Sequence, residues 1–257
     1  MGWFKKTKKG SVGLALGGGA VLGAAHIGVL KAIEEKGLDI RYVAGTSIGA
    51  FVGAFYAFGK NWAEIEEIAK DLNWLDISGI SIPKLGLLSN QKMGEFMREK
   101  IGDVSIEDAT IPFAAVTTDI ISGEKMVLRE GDLATAVMAS TCIPGVFIPV
   151  ELDDRLLVDG GLVENVPIAP LKDMGADFII GADLNAGHRP QRPENIVEVL
   201  LRTFDFMIRS ATALQTEEAD VLIQPDLSEF NMFETSQVGD LIEVGYASAR
   251  AVLEKNL

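Results

Sequence analysis

Apolar and polar positions along the chain fall into two alternating patterns. Short runs at Val12–Leu16, Tyr42–Thr46, Phe113–Asp119, Lys125–Leu128, Arg155–Val158, Phe178–Ala182 and Val221–Gln224 have the length and flanking turn residues of strands. Between them, Gly23–Glu35, Ile48–Phe58, Trp62–Leu72, Glu194–Thr216 and Gln237–Leu253 are spaced as helices. This alternation predicts an α/β fold whose parallel or mixed sheet is covered by helices on both faces. The stretch Ile77–Gln91 fits neither pattern: Ser, Gly and Pro interrupt its apolar residues, as in a loop or lid over a site. Its apolar residues, with Trp74 and Leu75 just before it, are placed to wall a channel for an apolar substrate. Leu87 and Leu88 are among them. Packing beneath the loop is the plainer reading of the same residues.

Composition narrows the picture. A chain of 257 residues with 48% hydrophobic content can fill one large core, so residues 11–257 are read as one domain behind a basic tail, residues 1–10. There is no internal repeat and no low-complexity linker. The single cysteine, Cys142, excludes an internal disulfide and fits a reducing cytoplasm. Within Met138-Ala139-Ser140-Thr141-Cys142-Ile143 it reads as a small core residue. No Cys/His cluster has metal spacing, so no metal and no cofactor are expected. A net charge of −14 opposes nucleic-acid binding.

The N-terminus imitates a targeting segment, because Lys5, Lys6, Lys8 and Lys9 precede an uncharged stretch from Gly10 to Leu30. Six glycines between Gly13 and Gly28, together with His26, make that stretch a poor membrane span. Trp3, Phe4 and the lysines read either as a frayed terminus or as a weak peripheral anchor to a membrane surface. The expected location is therefore cytoplasmic, peripheral at a membrane if the tail anchors.

The chemistry lies in three motifs taken in order. Gly45-Thr46-Ser47-Ile48-Gly49 joins a buried strand to a helix of small and apolar residues, which puts Ser47 on a sharp turn. Gly45 and Gly49 leave room for such a turn to present the hydroxyl, and the helix dipole favours negative charge there. Before it, Gly17-Gly18-Gly19-Ala20 lies between a strand and a helix opened by Gly23, so backbone amides of Gly18, Gly19 and Ala20 can converge on an oxyanion. A dinucleotide loop fits badly. Counting G-x-G-x-x-G from Gly17 leaves Leu22 in the last position, and no acid stands at the end of the second strand.

The third motif, Asp159-Gly160-Gly161, ends a short strand with a carboxylate. Alone it reads as a hairpin turn. Neither of the two histidines suits a triad. His26 shares a helical face with Leu22, Val29, Leu30 and Ile33, which reads as core packing, and His188 lies in the loop sequence Gly187-His188-Arg189-Pro190. An aspartate thus becomes the candidate base, provided burial raises its pKa from about 3.9. Asp119 and Asp183 also end apolar runs and compete with Asp159 for the role.

With these residues in hand, the chain resembles the bacterial patatin-like phospholipases, a family with a glycine-rich oxyanion loop, a G-x-S-x-G serine and a D-G-[GA] aspartate. Further likeness lies in Ala25–Leu30, Ala139-Ser140, Ile143–Phe147 and Glu164-Asn165-Val166-Pro167, and the resemblance covers roughly residues 11–225. It implies a three-layer α/β/α fold with a mostly parallel sheet and a hydrolase acting on a lipid or fatty-acyl ester. By the same resemblance Ser47 would be the nucleophile, Asp159 its base, and the amides of Gly18, Gly19 and Ala20 the oxyanion hole. Gly17, Gly23, Gly45, Gly49, Gly160 and Gly161 would support the motifs. One departure stands out. The family loop usually reads G-G-G-x-[KR]-G; here Ala20 replaces the third glycine, which a backbone oxyanion hole tolerates if φ stays negative, and Leu22 replaces the basic residue, which puts in doubt any anion contact that residue made but not the Ser-Asp pair.

Overall fold

The computed structural model describes residues 10–71, 79–80, 86, 88–185, 192–193, 195–231 and 234–257. In chain order its elements are β1 (Val12–Leu16), α1 (Ala24–Glu35), β2 (Ile40–Thr46), α2 (Ile48–Ala57), α3 (Trp62–Asp71), β3 (Gly79–Ile80), β4 (Leu88–Ser89), α4 (Gln91–Lys100) and β5 (Phe113–Asp119). There follow β6 (Lys125–Leu128), α5 (Leu133–Ser140), β7 (Val150–Leu152), β8 (Arg155–Asp159), α6 (Ile168–Met174), β9 (Phe178–Ala182), α7 (Ile196–Gln215), β10 (Val221–Ile223) and α8 (Val238–Asn256).

Strands β10, β9, β1, β2 and β5 lie side by side, each pair parallel. Apolar runs with both faces covered are what a parallel sheet needs. One face packs against α1, α2, α4, α5 and α8 through a large cluster that includes Leu14, Leu16, Ile33, Phe55, Met97, Val137 and Leu241. The other face carries a smaller cluster, Ala15, Ala44, Ala114 and Ile179, under Ile168 and Leu171 of α6. The result is three layers.

Antiparallel pairing enters at β5. Strand β6 pairs with it at Ala115 to Thr118, and β8 pairs with it at Thr117 to Asp119, while β7 completes a hairpin with β8. All seven strands expected from sequence are present, with ends shifted by no more than two residues. The patterns missed β7, α4, α5 and α6: β7 is three residues long, α5 and α6 are apolar at most positions and so show no polar face, and α4 is missed although Met93, Phe96 and Met97 recur at helical spacing. The expected lid is only partly described: β3 and β4 form a two-residue ladder, and the backbone at Leu88 pairs with Val146 and Ile148. Trp74, Leu75, Ile77, Ile82, Leu85 and Leu87 lie outside the described residues, as do residues 1–9 of the N-terminal tail and His188.

Candidate active site

Ser47 follows the last residue of β2 and caps α2 with φ 55° and ψ −127°, a backbone that side-chain-bearing residues rarely adopt. Two features hold it there. Gly49 approaches β1 so closely that an added Cβ would stand 2.0 Å from the Leu16 carbonyl oxygen. The Ser47 amide donates to Ser140 Oγ at 2.9 Å, and that hydroxyl donates onward to the Val116 carbonyl at 2.7 Å. The hydroxyl thus bridges the gap where β2 peels away from β5. Strain of this kind at a strand-to-helix turn is the backbone geometry that a nucleophile elbow requires.

Register explains what meets Ser47. On β5, Ala115 and Val116 pair with both β2 and β6, so those two strands occupy opposite edges. Thr117 and Thr118 pair with both β8 and β6, so β8 is also opposite β6. Strands β2 and β8 therefore share one edge of β5. The hand-over falls between Thr46↔Val116 and Thr117↔Asp159. Ser47 and Asp159 consequently meet end to end, one as its strand leaves and the other as its strand arrives. Gly160 completes the junction, since a Cβ there would lie 2.2 Å from the Val116 carbonyl oxygen.

Asp159 is fully buried. Its Oδ1 accepts from the Gly161 amide at 2.8 Å, and its main chain is fixed by Asp159 N–H to Cys142 O at 2.8 Å and Thr118 Oγ1 to Asp159 O at 2.9 Å. Burial pushes its pKa up from 3.8 to about 7, with the Ser47 side chain and the Gly161 amide pulling the other way. Oδ2 makes no hydrogen bond of full geometry, so the contact with Ser47 is a close approach that a substrate complex can tighten. At neutral pH this carboxylate is poised between its two forms.

The glycine loop lies on the other side of Ser47: a Cβ on Gly18 would be 3.1 Å from Ser47 Cβ. Sequence reasoning puts the Gly18 amide among the oxyanion donors; in the structure that amide is already engaged. That amide donates to Asn165 Oδ1 at 3.1 Å and also faces Asn165 O at 3.3 Å. The amides of Gly19 and Ala20 make no hydrogen bond among the described residues. Ala20 also departs from expectation, with φ 51° in the left-handed region where the family's glycine would sit without strain.

A family model described as patatin-like phospholipase matches residues 14–172, more than half of the chain, and its span contains Ser47, Asp159 and the loop between Gly17 and Ala20. The chain belongs to the patatin-like phospholipase family. An uncharacterized NTE family protein of Mycobacterium tuberculosis is 38% identical over 208 residues, covering 79% of this chain and 57% of its own length. The neuropathy target esterase sws of Drosophila melanogaster is 35% identical over 184 residues, 68% of this chain and 13% of that protein. This patatin-like chain thus spans just over half of the mycobacterial relative and a small part of the insect one. Among solved structures, VipD from Legionella pneumophila superposes with TM-score 0.59 at 14% identity, over 96% of this chain and 67% of that one. The type III effector protein ExoU gives 0.55 at 15% identity, over 96% and 53%. At such identities these two speak for the fold alone.

Within the patatin-like frame the rival groups are occupied elsewhere. Asp119 accepts from Ser122 Oγ at 2.8 Å and from the Ile121 amide at 3.1 Å, and these bonds, with Arg155 nearby, hold its carboxyl below the usual range. Asp183 accepts from the Asn185 amide at 3.0 Å and from Gln224 Nε2 at 3.2 Å. Cys142 is buried, its thiol 3.1 Å from the Ile148 carbonyl, and burial backed by the Asp159 charge pushes its pKa up to about 12. His26 is buried as expected but is not merely packed. Its Nε2 lies 2.7 Å from Gly17 O, an atom that can only accept, so that nitrogen carries the proton, and desolvation lowers the pKa to about 4. Sequence reasoning missed Asn185 as a neighbour of the site and took Ser140 and Asn165 only as family likeness. Each is a small polar residue whose partner lies far off in sequence.

Proposed function

We propose that this patatin-like protein is a serine-dependent lipid acyl hydrolase of the phospholipase or lysophospholipase type, with Ser47 as nucleophile and Asp159 as base. The observation that carries the reading is the shared edge of β5, which sets a buried carboxylate with a pKa near 7 against a strained, strand-end serine. The Ser47 hydroxyl attacks the ester carbonyl carbon while its proton passes to Asp159. Negative charge forms on the carbonyl oxygen, where the unengaged amides of Gly19 and Ala20 receive it. The tetrahedral intermediate expels the alcohol, which takes the proton from Asp159, and leaves an acyl-serine. A water then repeats the sequence in reverse, giving its proton to Asp159 and its oxygen to the acid product. No step calls for a metal or cofactor.

An apolar substrate is supported by the family's phospholipase chemistry, and α7 borders the site. Ile208 of this helix packs on Gly161, beside Asp159, and Gln215 bonds the Asn165 amide at 3.2 Å. The outer face of the same helix leaves Ile196, Val199, Phe206, Met207 and Leu214 exposed within about a 100° arc. That row points away from Ile208 and Gln215, so it belongs to the outer surface of the helix and not to the wall of the site. Net charge −14 disfavours anionic membranes, so a single-chain lysophospholipid or monoacyl ester is the preferred substrate over a diacyl lipid in a bilayer. Among the described residues no helix is long and apolar enough to cross a membrane.

The test is labelling of purified protein by a fluorophosphonate, followed by hydrolysis of p-nitrophenyl esters of increasing chain length and of a lysophospholipid panel. Ser47-dependent labelling with efficiency rising from acetate to medium chains supports the assignment. A profile highest for acetate and falling with each carbon leaves a small-ester hydrolase. Neither labelling nor turnover would leave a binding or regulatory protein on this fold.

A further inference from the structure

The two peptide planes of Gly17-Gly18-Gly19 are tied at every polar atom but one. In the first plane, Gly17 O accepts from His26 Nε2 at 2.7 Å and Gly18 N–H donates to Asn165 Oδ1 at 3.1 Å. In the second, Gly18 O accepts from Asn185 Nδ2 at 3.2 Å, and Gly19 N–H has no partner among the described residues. All three side chains are buried and come from separate places: α1, the loop after β8 and the loop after β9. Asn185 is itself held, its amide donating to Asp183 Oδ1 at 3.0 Å. Asn165 is anchored through Gln215 Oε1 at 3.2 Å.

Direction follows from the peptide group. No peptide bond in the described chain is cis, so Gly18 O and Gly19 N–H point in opposite directions within their shared plane. Strand β1 has β9 on one edge and β2 on the other. Asn185 follows β9, so pulling Gly18 O toward it turns Gly19 N–H toward the β2 side, where Ser47 stands.

We propose that Asn185, assisted by Asn165 and His26, is a positioning residue that fixes the Gly18–Gly19 peptide so that Gly19 N–H is the principal oxyanion donor. Without Asn185 the glycine-flanked peptide can rotate, because no side chain resists it. The donor would then have to be oriented during the reaction rather than before it. This rests on the serine-hydrolase reading above, and its test separates the two.

The variants are Asn185→Ala and the near-isosteric Asn185→Asp, whose carboxylate cannot donate to Gly18 O. Each is assayed with p-nitrophenyl butyrate, with a boronic acid that adds to Ser47 and places a negatively charged oxygen in the hole, and by thermal unfolding. Loss of a whole oxyanion donor costs about 10²–10³-fold in kcat, so disordering one should cost roughly 10–100-fold. We expect that loss in kcat, a KM within about threefold, and a parallel loss of boronate affinity. His26→Gln and Asn165→Ala should fall on the same line of boronate affinity against kcat. If Asn185→Ala does not fold, Asn185→Asp carries the test. Wild-type kcat in the folded variants, or a kcat loss with boronate affinity unchanged, overturns the proposal. Turnover that survives Ser47→Ala would instead overturn the nucleophile assignment beneath it.

Discussion

The Ser47 side of the site and the Asp159 side are built in different ways. Ser47 and the glycine loop come from one continuous piece, β1 through α2, in which parallel strands are joined by a helix and both motifs end adjacent strands. Strand ends in such a unit lie next to one another by topology, so local sequence is enough to bring the loop to the serine. Asp159 arrives by another route, at the end of an antiparallel hairpin strand that docks on β5 where β2 has left it. Its place depends on the length of β5 and on the hand-over from β2 to β8 between Val116 and Thr117. A local unit makes the proposed nucleophile, and a long-range docking supplies the proposed base.

The largest expected effect tests the local side. Ser47→Ala should lower esterase turnover by about 10⁴-fold or more, with unfolding free energy changed by under about 1 kcal/mol, as read by p-nitrophenyl butyrate hydrolysis and urea titration. Asp159→Asn tests the docked side and should cost about 10³-fold, since the amide keeps the shape and cannot take the proton. Either Asp119→Asn or Asp183→Asn losing more activity would move the base elsewhere.

The pH dependence sharpens the same contrast. Only the ionised Asp159 can accept the serine proton, so kcat/KM should rise with pH and level off above about 7. Stability should run the opposite way. The folded pKa of Asp159, about 7, lies above its unfolded value of 3.8, so its stabilisation is full below the unfolded value and is lost as pH rises through 7. Asp159→Asn should therefore unfold later than wild type at pH 8, by about 1–3 kcal/mol, in urea titrations at pH 5 and pH 8, with little advantage at the lower pH. His26, held neutral with a pKa near 4, should add a stability loss on acidification from 6.5 downward, and His26→Gln should remove it.

Smaller effects ask whether the two sides are equally rigid. Gly49→Ala would drive a Cβ to 2.0 Å from Leu16 O on the local side, and Gly160→Ala to 2.2 Å from Val116 O on the docked side. Each should destabilise by about 3 kcal/mol in denaturant titrations. A Gly160→Ala protein that unfolds like wild type but loses activity would mark the docked hairpin as the softer half. Ala20→Gly should be the mildest, relieving the positive φ against the entropy of glycine for a net gain of about 0.5 kcal/mol.

The sequence by itself determined the strands, the long helices and the identity of Ser47 and Asp159 as candidates, because glycine spacing and apolar runs are local signals. Gly45 and Gly49 around Ser47, and Gly160 after Asp159, announce tight turns without reference to anything distant. Short helices such as α5 and α6 escaped because they are apolar at most positions and show no polar face, yet α5 carries Ser140, which closes the gap at β5. Only the tertiary structure decided that Asp159, rather than Asp119 or Asp183, meets Ser47, and that the Gly18 amide is spent while Gly19 and Ala20 keep theirs. Those outcomes depend on strand register and on bonds from Asn165, Asn185 and His26 across the fold. A hydrogen bond between residues far apart in the chain leaves no periodicity for a sequence to show.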